Sequence, residues 1–243
     1  KRNGLPHNTI YSIIRTGDNQ IYVGTYNGLC RYIASNGKFE KIPLPVNSSQ
    51  SNLFVNSLLE DTGRQCIWIG TEGYLFQYFP STGQMKQTEA FHNNSIKSLA
   101  LDGNGDLLAG TDNGLYVYHN DVTPLQHIIH DSRNIQSLTN NIIWNIFADQ
   151  EHNIWLGTDY GISLSRYNSA LQFIPISQIT GTGDGNQFYS LFRDSKGFYW
   201  FGGTNGLIRF TDPAGDKHNA IWYRMGDKTY PLSHNRIRHI YED

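Results

Sequence analysis

Tyr26, Glu72, Asp112, Asp159 and Tyr160 are of types suited to directed contact with a small ligand, and Asn205 and Arg236 join them. Carboxylates, amides and a guanidinium can pair with neighbouring hydroxyl groups, two hydrogen bonds at a time. Tyrosine rings add an apolar face on which the C–H side of a sugar can lie. The chemistry these residues suit is therefore reversible binding of a polyhydroxylated molecule such as a carbohydrate. Asn8, Asn52, Asn94, Asn141, Asn186 and Asn235 recur at a nearly fixed place and have a plainer use. Asparagine tolerates positive φ and caps turns, so the backbone alone accounts for a repeated Asn. Trp68, Trp155 and Trp200 also recur at one offset and are expected in the core, whereas Trp144 falls outside that pattern and is a further candidate. Trp222 lies in a longer stretch, where packing explains it as well as function.

Motifs for catalysis or metal binding do not complete themselves. Asp102-Gly103-Asn104-Gly105-Asp106 begins like a calcium loop, but the twelfth position holds Asn113 where a bidentate Glu is needed. It is expected to be a hairpin turn. Gly181-Thr182-Gly183-Asp184-Gly185 lacks the Lys and the spacing of a phosphate-binding loop. Neither His-Glu-x-x-His nor Gly-x-Ser-x-Gly occurs. His127 and His130 are explained by a surface strand without a metal, and Cys30 and Cys66 match no metal or redox spacing. Buried thiols and a disulfide both suit the two cysteines. Asp194-Ser195-Lys196-Gly197 is similar to the Asp-box turn of sialidases, but no arginine triad accompanies it. No catalytic residue, metal or cofactor is expected.

The elements that position these residues are legible as a repeat. An apolar triplet followed by Gly-Thr occurs at 21–25, 67–71, 107–111 and 154–158, with Gly202-Gly203 closing a fifth copy. The first glycines stand 46, 40, 47 and 45 residues apart. Four residues beyond comes a second glycine, at Gly28, Gly114, Gly161 and Gly206, with Tyr74 as the exception. An aliphatic residue and a further strand follow each, so the segment between is a hairpin turn. Upstream, Asn-x-apolar-x-x-apolar opens each unit, and an Asp ends most of these strands, at Asp61, Asp102, Asp149, Asp194 and Asp243. A weaker fourth strand is expected at 39–42, 85–88, 125–128 and 171–174. Four antiparallel strands per period of 40 to 50 residues make one blade of a β-propeller. The expectation is an all-β, partial seven-bladed propeller of five blades plus the first strand of a sixth. It forms one domain over 1–243, with units at 5–49, 50–92, 93–138, 139–183, 184–233 and 234–243.

Composition sets outer limits. The net charge of −2 gives no long-range attraction for a polyanion, so nucleic acid is not expected as a partner. No apolar run approaches the roughly 20 residues that cross a bilayer.

The series Asn-x-Ile-x-x-Ile-x-x-Asp, Trp-Ile-Gly-Thr, Asn-Gly-Leu and an aromatic resembles the two-component-regulator propeller repeat. Asn3-Gly4-Leu5-Pro6-His7-Asn8-Thr9-Ile10 looks like the first blade of such sensors. The resemblance covers residues 5–243, with departures at Gly73-Tyr74, Leu108-Ala109 and Gly203. It implies the periplasmic part of a hybrid two-component sensor of glycan-degrading gut bacteria, binding an oligosaccharide and signalling across the membrane to control transcription. It further implies that this segment is not itself an enzyme, while the full-length protein carries a histidine kinase. The partners implied are an oligosaccharide, the remaining blades and downstream sensor domains, and a second copy in a homodimer. A protein-interaction scaffold, and a propeller lyase or glycosidase resting on fold alone, stay open as alternatives.

Overall fold

The computed structural model describes residues 3–45, 53–88, 94–119, 126–167, 171, 173–175, 177, 186–211 and 220–243. Among them are twenty strands in five antiparallel four-stranded sheets, each built from strands consecutive in sequence. The first sheet holds β1 (Ile10–Arg15), β2 (Ile21–Thr25), β3 (Gly28–Ile33) and β4 (Lys38–Ile42). The second holds β5 (Val55–Asp61), β6 (Cys66–Thr71), β7 (Leu75–Phe79) and β8 (Gln84–Gln87). The third holds β9 (Ile96–Leu101), β10 (Leu107–Thr111), β11 (Gly114–Tyr118) and β12 (Gln126–Ile128). The fourth holds β13 (Ile143–Ala148), β14 (Ile154–Thr158), β15 (Gly161–Ser165) and β16 (Phe173–Pro175). The fifth holds β17 (Phe188–Arg193), β18 (Tyr199–Gly203), β19 (Gly206–Phe210) and β20 (Ile221–Tyr223). The all-β, four-stranded antiparallel architecture expected from the repeat is present. The chain divides into two compact units, residues 1–99 with 118–124 and residues 100–117 with 125–243.

Two expectations need adjusting. Trp222 belongs to β20, the fourth strand of its sheet, where the Arg224 guanidinium lies 4.0 Å from its ring centroid. Residues 234–243 carry no strand, although the Ile237 N–H donates to the Gly203 carbonyl at 2.9 Å. Each of the five opening strands, by contrast, pairs with the strand after it. Leu125, Gln172 and residues 181–185 lie outside the described residues, as do the unit boundaries near 49, 92 and 183.

The first glycine of each Gly-Thr pair has a steric reason. A Cβ on Gly70 would lie 2.5 Å from Ile96 Cγ2, and one on Gly110 would lie 2.6 Å from Ile143 Cγ2. Gly24 has the same relation to Val55, Gly157 to Phe188 and Gly202 to Ile237. These partners are the first apolar residues of the next opening segment, so the glycine is the seat on which the following repeat rests. The second apolar residue of the motif is buried too: Leu58, Leu99, Ile146 and Leu191 are each 7% exposed. Ile13 on β1, at the same place in the motif, is 63% exposed. In the first unit Tyr22, Leu29, Val55, Ile67, Ile69 and Phe76 form the core. In the second, one cluster gathers around Leu108, Ile143 and Leu156, and another around Trp155, Phe188 and Phe201.

The recurring Trp and Asp prove to be partners. Trp68 Nε1 donates to Asp61 Oδ2 at 3.0 Å, Trp155 Nε1 to Asp149 Oδ2 at 2.8 Å, and Trp200 Nε1 to Asp194 Oδ2 at 2.8 Å. The same carboxylates accept backbone N–H groups of the turn that follows, as in Arg64 N to Asp61 Oδ1 at 2.9 Å. One residue thus satisfies a buried indole and closes a reversal. In the first repeat Thr16 and Tyr22 take these places, and a cleft of about 710 Å³ opens beside them, lined also by Arg31, Glu60 and Ile67. Cys30 and Cys66 are buried and form no disulfide, and burial pushes the Cys30 thiol up to about 11.

Gly70→Ala should force Ile96 or the β6 backbone to move, lowering stability by about 1–3 kcal/mol in denaturant unfolding. A second expectation concerns acid. Burial raises the Asp61 pKa, but the Trp68 indole and the Arg64 N–H and guanidinium outweigh it, so the net shift is downward. A carboxyl depressed in the folded state stabilises fully above its unfolded pKa of about 3.9 and loses that contribution as pH falls through the folded value. Asp61→Asn should therefore flatten the fall of melting temperature below about pH 4, measured against the parent protein.

Candidate functional site

In the second unit, one position per repeat projects out of the core packing. It is the third residue after the recurring Asn: Trp144 on β13, Tyr189 on β17 and Arg238 in the last segment. Ile143 and Ile146 are buried on either side of Trp144, which is only half-buried. The register shifts between Ile143 and Asn145, so strict alternation is broken at this residue and both isoleucines can be buried while Trp144 is not. Trp144 meets Tyr189 edge-on, with centroids 5.3 Å apart and planes at 76°. The Arg238 guanidinium stands 4.3 Å from the Tyr189 centroid, and that of Arg236 stands 5.8 Å away. Cations at this range are attracted to the negative face of the ring.

A chain of hydrogen bonds ties this row to the turn between β14 and β15. Asp159 Oδ1 accepts from Trp144 Nε1 at 2.9 Å and from Gln187 Nε2 at 2.5 Å. Gln187 Oε1 in turn accepts from the Tyr189 hydroxyl at 2.5 Å, and Arg236 Nη2 reaches that hydroxyl at 3.5 Å. The turn is held by its own sequence. Thr158 Oγ1 donates to the Gly161 carbonyl at 2.8 Å and accepts from Tyr160 N at 3.1 Å. Gly161 has φ of +97°, which an L side chain rarely adopts. Backbone bonds from Asp159 N to Ile142 O and from Gly161 N to Asn186 O fasten the turn to two opening loops. The result is an aromatic pair edged by an amide, a carboxylate and two guanidiniums, so sugar hydroxyls would meet both donors and acceptors. Among the described residues neither arginine forms an ion pair.

The first unit has an aromatic row of its own. Tyr26, in the turn between β2 and β3, packs tilted against Phe54, with centroids 4.2 Å apart, and against His7 at 4.7 Å. Tyr11 follows, 6.2 Å from Phe54.

The residues expected from sequence thus part company. Asp159, Arg236 and Trp144 meet in one network, and Tyr26 sits in the aromatic row of the first unit. Glu72 is exposed in the turn between β6 and β7, where its backbone bridges to Ser95. Asp112 is half-buried in the turn between β10 and β11. Asn205 has a backbone task, its N–H donating to Asn186 Oδ1 at 2.9 Å and its carbonyl accepting from Arg224 Nε at 3.2 Å. Tyr160 is 55% exposed beside a separate pocket. Asn52 lies outside the described residues. Sequence reasoning missed Gln187, Tyr189, Arg238 and Phe54. The available signal was the offset from the recurring Asn, since Tyr189 and Arg238 share the offset of Trp144. No group of His, Cys, Asp and Glu able to hold a metal occurs among the described residues.

Comparison with known proteins places these repeats. The model of the two-component regulator propeller matches residues 4–27, 137–160 and 182–205. The chain is 94% identical, over 100% of its length and 33% of the other chain, to the solved extracellular domain assigned to the hybrid two-component system BT4673 of B. thetaiotaomicron, with a TM-score of 0.68. A second structure, described as the extracellular domain of a one component system BT4673, matches at 93% identity over the same shares, with a TM-score of 0.67. The extracellular domain assigned to the hybrid system BT3049 of the same organism matches at 21% identity over 85% of this chain and 28% of that one, TM-score 0.65, and supports the fold. The chain spans about a third of the length of these relatives. Among curated proteins none matches.

Asp159→Ala leaves the Trp144 and Gln187 donors without their shared acceptor. Half-exposure lets water replace part of the loss, so unfolding should show about 0.5–1.5 kcal/mol of destabilisation, with a shift in tryptophan emission that is absent in the Asp159→Ala, Trp144→Phe double variant.

Proposed function

We infer that this chain, whose repeats belong to the two-component-regulator propeller family, is a ligand-sensing part of the extracytoplasmic region of a hybrid two-component sensor. It contributes five blades and the opening segment of a sixth to a larger propeller. Its ligand is an oligosaccharide, which lies against Trp144 and Tyr189 and hydrogen-bonds with Asp159, Gln187 and Arg236. Further blades, downstream sensor domains and a second copy of the protein complete the assembly, and a histidine kinase in the full-length protein carries the signal across the membrane.

The observation that carries the binding role is the junction of Trp144, Asp159, Gln187, Tyr189 and Arg236. Each comes from a position that blade packing leaves unconstrained, yet together they form one connected set of ring faces, donors and acceptors. A solvated rim has no need of five such side chains in a single hydrogen-bonded chain. The extracytoplasmic location rests on the relatives described as extracellular domains. No helix among the described residues is long and apolar enough to cross a membrane.

Titration calorimetry of the full extracytoplasmic region against cello-, xylo-, manno-, galacto- and malto-oligosaccharides should yield heat with one series. Trp144→Ala should weaken that binding about tenfold, or about 1.4 kcal/mol, while the ligand-free protein stays folded with a loss of stability comparable to that of Asp159→Ala. Absence of heat from every series, together with turnover of any of them, would remove the sensing role.

A further inference from the structure

Beside the Trp144 network lies a pocket that the proposed role does not yet use. It has a volume of about 330 Å³ and is lined by Asp131, Ser132, Asn134, Thr139, Pro175 and Tyr160, among others. Ligand pockets begin at about this size. Tyr160 is 55% exposed and Ile135, on the same rim, is 77% exposed.

The walls are fixed in advance. Asp131 N donates to Ser137 Oγ at 2.9 Å, and Ser137 Oγ donates back to the Asp131 carbonyl at 2.9 Å. Thr139 N donates to Ser163 Oγ at 3.0 Å, and Phe173 N donates to the Gln136 carbonyl at 2.9 Å, so the loop is pinned to β15 and β16. Asn134 Oδ1 accepts from Gln136 N at 3.0 Å, leaving its amide nitrogen available. A pinned loop loses little conformational entropy on binding.

We propose that this pocket is a second sugar subsite, taking one pyranose ring against Tyr160 with its hydroxyls on Asn134, Ser132 and Asp131, whose carboxylate is also held by Arg133 Nε at 3.1 Å. The proposal rests on the sensing role and extends it. Asp159 and Tyr160 are consecutive, so one turn serves both places: Asp159 faces the Trp144 network while Tyr160 borders the pocket. The ligand is then a linear oligosaccharide that crosses this turn, and a disaccharide fills only the Trp144 side.

The test is calorimetry of the full extracytoplasmic region with the oligosaccharide series that binds, in lengths of two to six units. Tyr160→Ala, an exposed position whose loss leaves the core intact, should weaken binding of the longer oligomers about tenfold and leave the disaccharide unaffected. Asn134→Ala should do the same to a smaller degree. Trp144→Ala should weaken every length. A Tyr160→Ala protein that binds all lengths as the parent does, while Trp144→Ala still weakens them, overturns the subsite and leaves the sensing role standing. No heat from any series with the parent protein brings down both.

Discussion

Five glycines, Gly24, Gly70, Gly110, Gly157 and Gly202, allow the next opening segment to settle where a β-carbon would otherwise stand, at 2.5 to 2.7 Å. Interiors pack at crystal-like density and absorb such an overlap only by moving backbone. The glycine is therefore a spacing rule: it sets how closely one small sheet rests on its neighbour. Everything outward of that contact, including which side chains of an opening strand remain exposed, follows from it. The same contact explains why residues 234–243 keep their place without a strand ladder. Ile237 and Ile240 occupy the seat at Gly202, and Ile240 N donates to Ser190 Oγ at 3.0 Å.

A second constraint works at the other end of the opening strands. A buried indole N–H needs an acceptor, and a buried carboxylate needs donors. Asp61 and Asp149 meet both needs at once, Asp194 makes the same bond to the half-buried Trp200, and Asp149 also accepts from the Tyr199 hydroxyl at 3.0 Å. Where the pair is replaced by Thr16 and Tyr22, the sheets are less filled and a cleft appears. The repeat thus tolerates substitution, but each substitution changes the local packing in a predictable direction.

Function uses what these constraints leave free. Packing fixes the apolar positions of the opening strand and the Gly-Thr of the second, while the third residue after the recurring Asn answers to neither. That position carries Trp144, Tyr189 and Arg238, whose differing chemistry on a common geometry makes a graded surface. Asp159 joins it because the hairpin turn is bound by Thr158 and Gly161 at a height where its carboxylate reaches Trp144 and Gln187. A rigid scaffold with variable rim residues suits recognition of an extended ligand.

The sequence by itself determined the repeat, the strand order within each unit and the glycine positions, because all three are local: alternation, turn chemistry and a fixed period can be counted along the chain. It also marked Asp159, Arg236 and Trp144 as departures from the pattern. Only the tertiary structure decided that these three share one network while Asn205 serves the backbone and Tyr26 packs between His7 and Phe54. The pairing of Trp68, Trp155 and Trp200 with the strand-ending aspartates was equally hidden, since both looked sufficient alone as core and as turn. Contacts between residues 15 to 77 positions apart, such as Trp144 with Asp159 or Asp159 with Arg236 through Gln187 and Tyr189, depend on how strands are stacked and not on any local preference. Chain separation conceals them until the sheets are packed.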